Sequence, residues 1–204
     1  MTVNCSQTLS LIGNPRRNKT CRTCGLCSHQ FPLLSEWLPS DIFWVGLSAV
    51  HVGDGDEGLP LSKETRSGQL IHQIEEPFVR KYKFYKTNLV KCLPLRDGKI
   101  RYPSSTEMEH CFPNLETEIQ SLKPRIVFLL GKQVSSFVIG KKIGEPVSFK
   151  ESFEYTAYNV DGVLYIPIHH PSFILVYKRK YISEYIKNIQ KAFTSPRSKR
   201  ILKS

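Results

Sequence analysis

Four short apolar runs, separated by segments with helical periodicity, constrain the fold of this chain more than any other feature of its sequence. The runs are Asp41–Gly46, Phe84–Val90, Arg125–Gly131 and Val163–Ile168. Short apolar runs of this kind indicate buried strands. Strands that alternate with helices along a chain favour a parallel sheet with helices on both faces. The sequence therefore predicts a three-layer α/β/α sandwich with a mainly parallel central sheet, in a single domain.

The segments between these strands carry helix signals. Ser104 and Glu107 have the spacing of a capping box, which predicts the start of a helix. Pro77 and Pro113 fall within two helical patterns, so we expect the first helix to end early and the second to be disturbed or divided. The predicted helices are Ser67–Tyr82, a segment from Ser104 through Ile119, Lys132–Ile139 and Tyr181–Phe193.

Length and the distribution of polar residues predict how the chain is organised. Its 204 residues are enough for one domain with a core. We expect a flexible N-terminal segment at 1–20, the domain at 21–194 and a basic C-terminal tail at 195–204. No run approaches the roughly 18 apolar residues that cross a bilayer, and the first 20 residues lack an apolar signal core. We therefore expect a cytoplasmic, nucleoid-associated monomer without a membrane partner.

The charge balance is strongly basic. Lys and Arg total 29 against 18 Asp and Glu, which gives a formal net charge of +11. Such an excess favours an anionic partner, foremost nucleic acid. The basic residues cluster at 80–91, at 178–180 and in the tail. The alternative interpretation of each cluster is a solvated face without a partner.

Six cysteines in a chain without a signal peptide predict metal binding rather than disulfides. Three of them are closely spaced and two lie far along the chain, so a shared metal would link distant segments. Their spacing alone fits zinc as well as an iron–sulfur cluster. The cysteines are Cys5, Cys21, Cys24, Cys27, Cys92 and Cys111.

Polar residues follow three of the predicted strands directly. The loops concerned are Leu47–Ser62, Asn88–Pro94 and His169–Ser172. In parallel α/β folds, ligands bind at the carboxyl ends of the strands. These three loops are therefore predicted to form the functional site.

The same loops carry motifs of a known family. Thr87–Pro94 contains Thr-Asn-Leu-Val-Lys-Cys-Leu-Pro, His170–Ser172 is His-Pro-Ser, and Gly46–Val50 is Gly-Leu-Ser-Ala-Val. In their order along the chain, these motifs resemble the uracil-DNA glycosylase superfamily, most closely its iron–sulfur branches, families 4 and 5. The resemblance extends from about Cys21 to Phe193, and it implies a DNA substrate that is acted on after base flipping.

The resemblance also implies a [4Fe–4S] cluster. Cys21 and Cys24 match the family's Cys-x-x-Cys-x-Leu, and Cys92 and Cys111 match its other two ligands. Such a cluster would have a structural role, tying the N-terminal part of the domain to the second motif. Zinc is the alternative metal, and Cys27 could replace one of the four ligands.

The family motifs assign roles to site residues. His170 would donate a hydrogen bond to the departing base, with His169 orienting it, and Asn88 would read the edge of a pyrimidine. Leu47 and Leu61 would line the base pocket. For the acid that positions water, the candidates are Asp54 and Asp56, with Glu64 and His51 as alternatives.

The segment after the third motif is expected to contact DNA. Ser172 is predicted as a helix N-cap. Phe173, together with Ile174 and Leu175, occupies the place of a wedge that fills the gap left by the flipped base; ordinary core packing is the alternative. Three basic residues that would contact phosphates follow the wedge: Lys178, Arg179 and Lys180.

Two departures from the family pattern leave the function open. Leu61 replaces the family's stacking Phe, and Ala49 and Val50 replace its Pro-Gly or Pro-Ala. The leading hypothesis is a monofunctional glycosylase of base-excision repair that removes uracil or a modified pyrimidine. One alternative is a glycosylase of a bulky 5-modified cytosine in phage DNA, which would serve phage defence. The others are an inactive, metal-stapled nucleic-acid-binding protein and a structural metal protein.

Overall fold

A computed structural model describes residues 21, 23–28, 30, 32–51 and 58–194. The expected N-terminal segment at 1–20 and the basic tail at 195–204 lie outside this part of the chain. The strands are β1 (Ile42–Ser48), β2 (Phe84–Val90), β3 (Leu95–Arg96), β4 (Lys99–Ile100), β5 (Ile126–Leu130), β6 (Tyr158–Val160) and β7 (Val163–Ile168). The α-helices are α1 (Arg66–Glu75), α2 (Ser105–Leu122), α3 (Lys132–Ile143), α4 (Pro171–Tyr177) and α5 (Ile182–Thr194).

The central sheet has five strands in the order β2-β1-β5-β7-β6. The pairs β1–β2, β1–β5 and β5–β7 are parallel, and β6–β7 at one edge is antiparallel. Helices lie between the parallel strands in sequence, as parallel crossovers require. The predicted three-layer sandwich with a mainly parallel sheet is confirmed.

Alternate side chains of each strand enter two separate cores, one on each face of the sheet. Phe43 and Val45 of β1 pack with Leu115 of α2 on one face. Their neighbour Trp44 packs with Phe193 of α5 on the other face, where the two rings meet edge to face. Because both faces are covered, the central strand β5 is apolar along its whole length.

The helix boundaries follow the sequence signals in two places and depart from them in one. Pro77 ends α1, which stops at Glu75 before a 3₁₀ turn. Ser104 and Glu107 form both bonds of the capping box at α2. Pro113, in contrast, lies inside an unbroken α2, so the expected disturbance was wrong. The buried neighbours of Pro113 at 112 and 115 hold the helix against the core despite the missing backbone donor.

Two elements were not predicted, the β3–β4 hairpin and the edge strand β6. Neither has the length or the periodicity that identifies an element in sequence. The helix implied by the predicted N-cap after the third motif is observed as α4. Of the helices in the described part of the chain, none is long and apolar enough to cross a membrane.

Candidate active site

A cleft of about 960 Å³ opens at the carboxyl ends of the central strands. Its walls come from the ends of β1, β2 and β5 and from the beginning of α4. The polar or glycine residues in this wall include Gly46, Ser48, Asn88, Gly131 and His170. The three predicted loops therefore meet at one edge of the sheet, where a parallel α/β fold places its ligands.

Asn88 lies near the end of β2, beside Gly46 of β1 in the parallel register. It is 4% exposed. A Cβ atom at position 46 would collide with Oδ1 of Asn88 and would contact Leu61. Glycine at 46 thus leaves room for the Asn88 amide against the floor of the cleft.

A buried polar network lies behind Asn88. Nζ of Lys91 donates to the backbone oxygen of Asn88 at 2.7 Å, to Oγ1 of Thr87 at 2.6 Å and to Oε2 of Glu118 at 2.7 Å. Lys91 is 3% exposed and Glu118 is 1% exposed. All three protons of the ammonium group have acceptors, as a buried charge requires. The network fixes the backbone of Asn88 through side chains that are not part of the cleft wall.

His170 is held in one orientation and one tautomer at the start of α4. Its Nδ1 accepts from the backbone N–H of Ser172 at 3.1 Å and lies 2.7 Å from the Ser172 hydroxyl. An imidazole nitrogen that accepts from a backbone N–H carries no proton, so the proton of the neutral ring is on Nε2. Burial lowers the pKa of His170, which favours this neutral form. The ring therefore presents a single neutral donor.

The N-cap of α4 is His170, not Ser172. The side chain of His170 bonds the N–H of Ser172, Pro171 occupies the first helical position, and Ser172 is already within the helix. The expected role of Ser172 as N-cap was wrong because imidazole, like a hydroxyl, can accept from a backbone N–H. Gly131, with φ at +94°, makes room for this arrangement, since a Cβ there would lie 3.2 Å from Cβ of His170.

His169 is enclosed by aromatic rings. It stacks on Phe173 with centroids 5.5 Å apart, and its Nδ1 lies 3.1 Å from the hydroxyl of Tyr155. The hydroxyl of Tyr185 donates to its backbone oxygen at 2.8 Å. Burial, and secondarily the charge of Lys178, lower the pKa of His169. These contacts hold the peptide that leads into His170.

The first loop is described only in part. Leu47 and Leu61 both line the cleft. Leu61 has φ at +52°, an uncommon conformation for a branched residue. The predicted acids Asp54 and Asp56 lie outside the described residues. The alternatives Glu64 and His51 are exposed, and neither is among the residues that form the cleft wall.

The segment after the third motif divides between core and surface. Ile174 is fully buried, so it belongs to the core and not to a wedge. Phe173 is 37% exposed and lines the cleft, followed along α4 by Val176 and Tyr177. The basic residues predicted to contact DNA lie beyond the end of α4. Nζ of the first, Lys178, lies 3.7 Å from the carboxylate of Glu151. The three basic residues are Lys178, Arg179 and Lys180.

Comparison with protein families adds to this geometry. The sequence model that describes the uracil DNA glycosylase superfamily matches residues 39–194, which is most of the chain. This chain belongs to the uracil DNA glycosylase superfamily. The resemblance predicted from the motifs is thereby confirmed, and all the residues described around the cleft fall within the matched region or directly before it.

Two curated relatives in this superfamily carry the name Type-4 uracil-DNA glycosylase. The protein of Saccharolobus solfataricus is 31% identical over 114 residues, 53% of this chain and 51% of the relative. The protein of Sulfurisphaera tokodaii is 25% identical over 166 residues, 78% of this chain and 72% of the relative. The alignment thus spans about half the length of the first. Among solved structures, wild-type SMUG2 of Pedobacter heparinus matches with a TM-score of 0.48 at 16% identity, over 76% of this chain and 75% of that one.

The superfamily motifs do not include every residue of the cleft. Lys132 and Gln133 follow β5 directly and line the cleft, as do Arg101 and Tyr102 after the hairpin. The first pair had the same signal as the three predicted loops, because polar residues follow an apolar strand that ends in glycine. The second pair had no such signal, since a hairpin of two-residue strands has no detectable alternation.

The cysteines of this superfamily member come from two distant regions that meet beside one core. Cys92 and Cys111 are buried, while Cys24 and Cys27 pack half-buried against the same cluster. Burial raises the pKa of the Cys92 thiol, and the charges of Cys111, Cys24, Cys21 and Cys27 raise it further. The other four described thiols therefore lie within electrostatic reach of Cys92. Cys5 lies outside the described residues.

The donor atoms at these cysteines, as distinct from their spacing in the structure, suit a metal–thiolate group. Sγ of Cys111 accepts from the backbone N–H of Lys91 at 3.4 Å and from the amide of Asn114 at 3.7 Å, contacts that favour a thiolate. Burial raises the pKa of Cys111 even though the charge of Lys91 and these two hydrogen bonds lower it, so a thiolate here requires a further cation such as a metal. Within the described part of the chain, no group of three or more His, Cys, Asp or Glu side chains has the geometry to hold a metal ion.

Proposed function

We propose that this protein is a monofunctional DNA glycosylase that extrudes a pyrimidine nucleotide and hydrolyses its N-glycosidic bond. One observation carries the proposal: the amide of Asn88 and the imidazole of His170 line the same cleft at the carboxyl edge of the sheet. The superfamily and the names of the relatives support it. The net charge of +11 supports DNA as the substrate.

Each of the two residues suits a different part of the reaction. The amide of Asn88 offers both a donor and an acceptor, which matches the edge of a pyrimidine held in the cleft. As the C1′–N bond breaks, its electron pair stays on the base, and negative charge develops on the base oxygen. The Nε2–H of neutral His170 stabilises that charge. Water adds its oxygen to C1′ and releases a proton to solvent or to a nearby acid, for which Asp54 and Asp56 are the candidates.

A hydrolytic reaction without a covalent intermediate fits the cleft. A glycosylase that forms a Schiff base needs a desolvated, neutral lysine. Lys132 is the lysine among the described residues of the cleft wall, and it is exposed. Lys91 is buried and fully engaged with Glu118, Thr87 and Asn88. Neither amine is suited to attack the sugar, so we assign the attack to water.

Two classes of base are candidate substrates, uracil and an enlarged pyrimidine. Leu61 stands where the family has a stacking Phe, and its side chain lies close to Gly46. The cleft, at about 960 Å³, is at the upper end of the range for small-molecule sites. These two observations favour a second candidate substrate, a cytosine with a bulky 5-substituent such as those of phage DNA.

The test is a panel of oligonucleotides that carry uracil, 5-hydroxymethylcytosine, glucosylated 5-hydroxymethylcytosine or ordinary bases. After incubation, alkali cleaves the strand wherever a base has been released. We expect cleavage at one of the modified or deaminated bases and at none of the ordinary ones. If no base is released from single- or double-stranded DNA, the protein is an inactive nucleic-acid-binding member of the superfamily.

We further propose a [4Fe–4S] cluster held by Cys21, Cys24, Cys92 and Cys111. Bound there, the cluster would tie the segment at 21–28 to β2 and α2 and take no part in bond cleavage. The buried thiols and the N–H donors on Cys111 support this assignment.

Changing a ligand should remove the cluster. Purified protein should be brown, and Cys92→Ala or Cys111→Ala should abolish the colour and most of the soluble yield. Cys27→Ala is the matched control, expected to keep both. Iron and zinc analysis of the purified protein checks the metal, and stoichiometric zinc without iron would contradict the proposal.

A further inference from the structure

The hairpin β3–β4 and the residues after it form a wall of the cleft that the superfamily motifs do not include. Ile100 and Tyr102 line the cleft, yet they are 65% and 72% exposed. The exposed apolar side chains of α4 line the same cleft. Large apolar side chains that remain this exposed around one cleft indicate a binding surface.

The hairpin is braced against the domain. Asp97 and Gly98, with φ at +52° and +71°, form a tight turn between its two strands. The guanidinium of Arg101 binds the carboxylate of Glu107 through two bonds of 2.6 and 2.7 Å. The same guanidinium donates to the backbone oxygens of Leu95 and Tyr102. Hydrogen bonds from Arg101 lower the pKa of Glu107 to about 2, so the ion pair between Arg101 and Glu107 stays charged at neutral pH.

Basic residues accompany these apolar side chains. Arg96 and Lys99 are exposed on the two strands of the hairpin, and Lys132 lines the cleft. Aromatic faces beside cations are the combination that binds single-stranded nucleic acid, because each base can stack while the phosphates are neutralised. An acidic peptide or a lipid surface would not need an aromatic ring at the mouth of a cleft that Asn88 and His170 also line.

We propose that Tyr102, supported by Ile100, is a stacking platform for the nucleobase next to the extruded nucleotide on the same strand. The inference rests on the proposed function. Extrusion of a nucleotide removes the stacking partner of its neighbour, and the Tyr102 ring would replace that partner. Because Arg101 holds the backbone of the hairpin before DNA arrives, little backbone freedom is lost on binding.

The experiment uses single-stranded and duplex oligonucleotides with a tetrahydrofuran abasic analogue and 2-aminopurine on either side of it. Stacking quenches 2-aminopurine, so the wild-type protein should quench it on one side of the analogue. Tyr102→Ala should abolish that quenching and weaken binding about 5- to 100-fold. Tyr102→Phe keeps the ring and should bind within about twofold of wild type. Val79→Ala removes an exposed apolar side chain that does not line the cleft, and it should change neither signal.

The outcomes separate this inference from the proposed function. If Tyr102→Ala binds and quenches like wild type, the platform does not exist, whether or not the protein releases a base. If Tyr102→Phe is as weak as Tyr102→Ala, the hydroxyl and not the ring face makes the contact, and stacking is wrong. If wild type releases no base while Tyr102→Ala still loses binding and quenching, the platform stands and the glycosylase assignment fails.

Discussion

The orientation of His170 determines how its loss should affect the reaction. A donor aimed at the base oxygen becomes stronger only as negative charge develops there, so it contributes to the transition state more than to binding. His170→Ala should therefore lower the single-turnover rate constant about 100- to 1000-fold and leave the DNA dissociation constant within about threefold. Single-turnover rates and equilibrium binding on the same oligonucleotide measure the two effects. A parallel loss of both would mark His170 as a support of α4.

The tautomer of His170 predicts a pH dependence. Burial lowers its pKa below the ordinary value of about 6.5, so the ring is neutral at pH 7 and above. As pH falls through the lowered pKa, a proton on Nδ1 would oppose the N–H of Ser172 and break the cap. Single-turnover rates should thus be level from about pH 7 to 9 and should fall only below about pH 6.5. The residual activity of His170→Ala should lack that acid limb.

At the scale of elements, the segment from Thr87 to Cys92 joins the cleft to the cysteines. Lys91 makes both connections. Its Nζ donates to the backbone oxygen of Asn88, and its backbone N–H donates to Sγ of Cys111. Lys91→Met leaves the buried carboxylate of Glu118 without a cation, with the Thr87 hydroxyl as a neutral donor at 3.0 Å. The free energy of unfolding should then fall by about 3–5 kcal/mol, measured by urea denaturation at equal metal content.

Two further variants test the origin of that loss. Lys91→Met combined with Glu118→Leu removes both charges and should recover much of the lost stability. Lys141→Met breaks an exposed pair with Glu109 and should cost less than about 1 kcal/mol. If the double variant is less stable than Lys91→Met alone, the effect comes from packing and not from an unpaired charge.

The elements that could be predicted from sequence are those with a long pattern. Phe84–Val90 was predicted with its observed bounds, and the capping box at Ser104 fixed the beginning of α2. The error at Pro113 has a physical cause, since tertiary packing of α2 outweighs one lost backbone bond. The β3–β4 hairpin escaped prediction because two-residue strands have too few side chains to alternate.

The site was predictable to the extent that its residues follow strands. Asn88, Leu47, Leu61 and His170 come together in one cleft because the carboxyl ends of parallel strands share an edge. The sequence could not reveal that His170 caps its own helix, since Ser172 has the better N-cap propensity. Nor could it reveal the Lys91 network, which depends on Glu118 from a helix packed across β2.

At the scale of the whole molecule, the basic charge predicts a strong effect of salt. Each phosphate neutralised contributes close to −0.9 to the slope of log K against log salt for duplex DNA. Between 50 and 200 mM salt, wild-type protein should lose at least tenfold in affinity for an undamaged duplex, measured by fluorescence anisotropy. A flat dependence over that range would show that the charge of +11 does not act on DNA.

The strand order has a consequence for how the protein is made. β1 lies between β2 and β5, and about 80 residues separate the end of β1 from the beginning of β5. At cellular rates of synthesis, the ribosome needs roughly 4–16 s to add them. Throughout that interval the nascent chain carries a strand as apolar as Phe43-Trp44-Val45 with one edge unpaired, which invites association with other chains. Faster synthesis of residues 49–125, or a chaperone that covers this edge, should therefore raise the yield of folded protein, even though neither acts on the protein once it has folded.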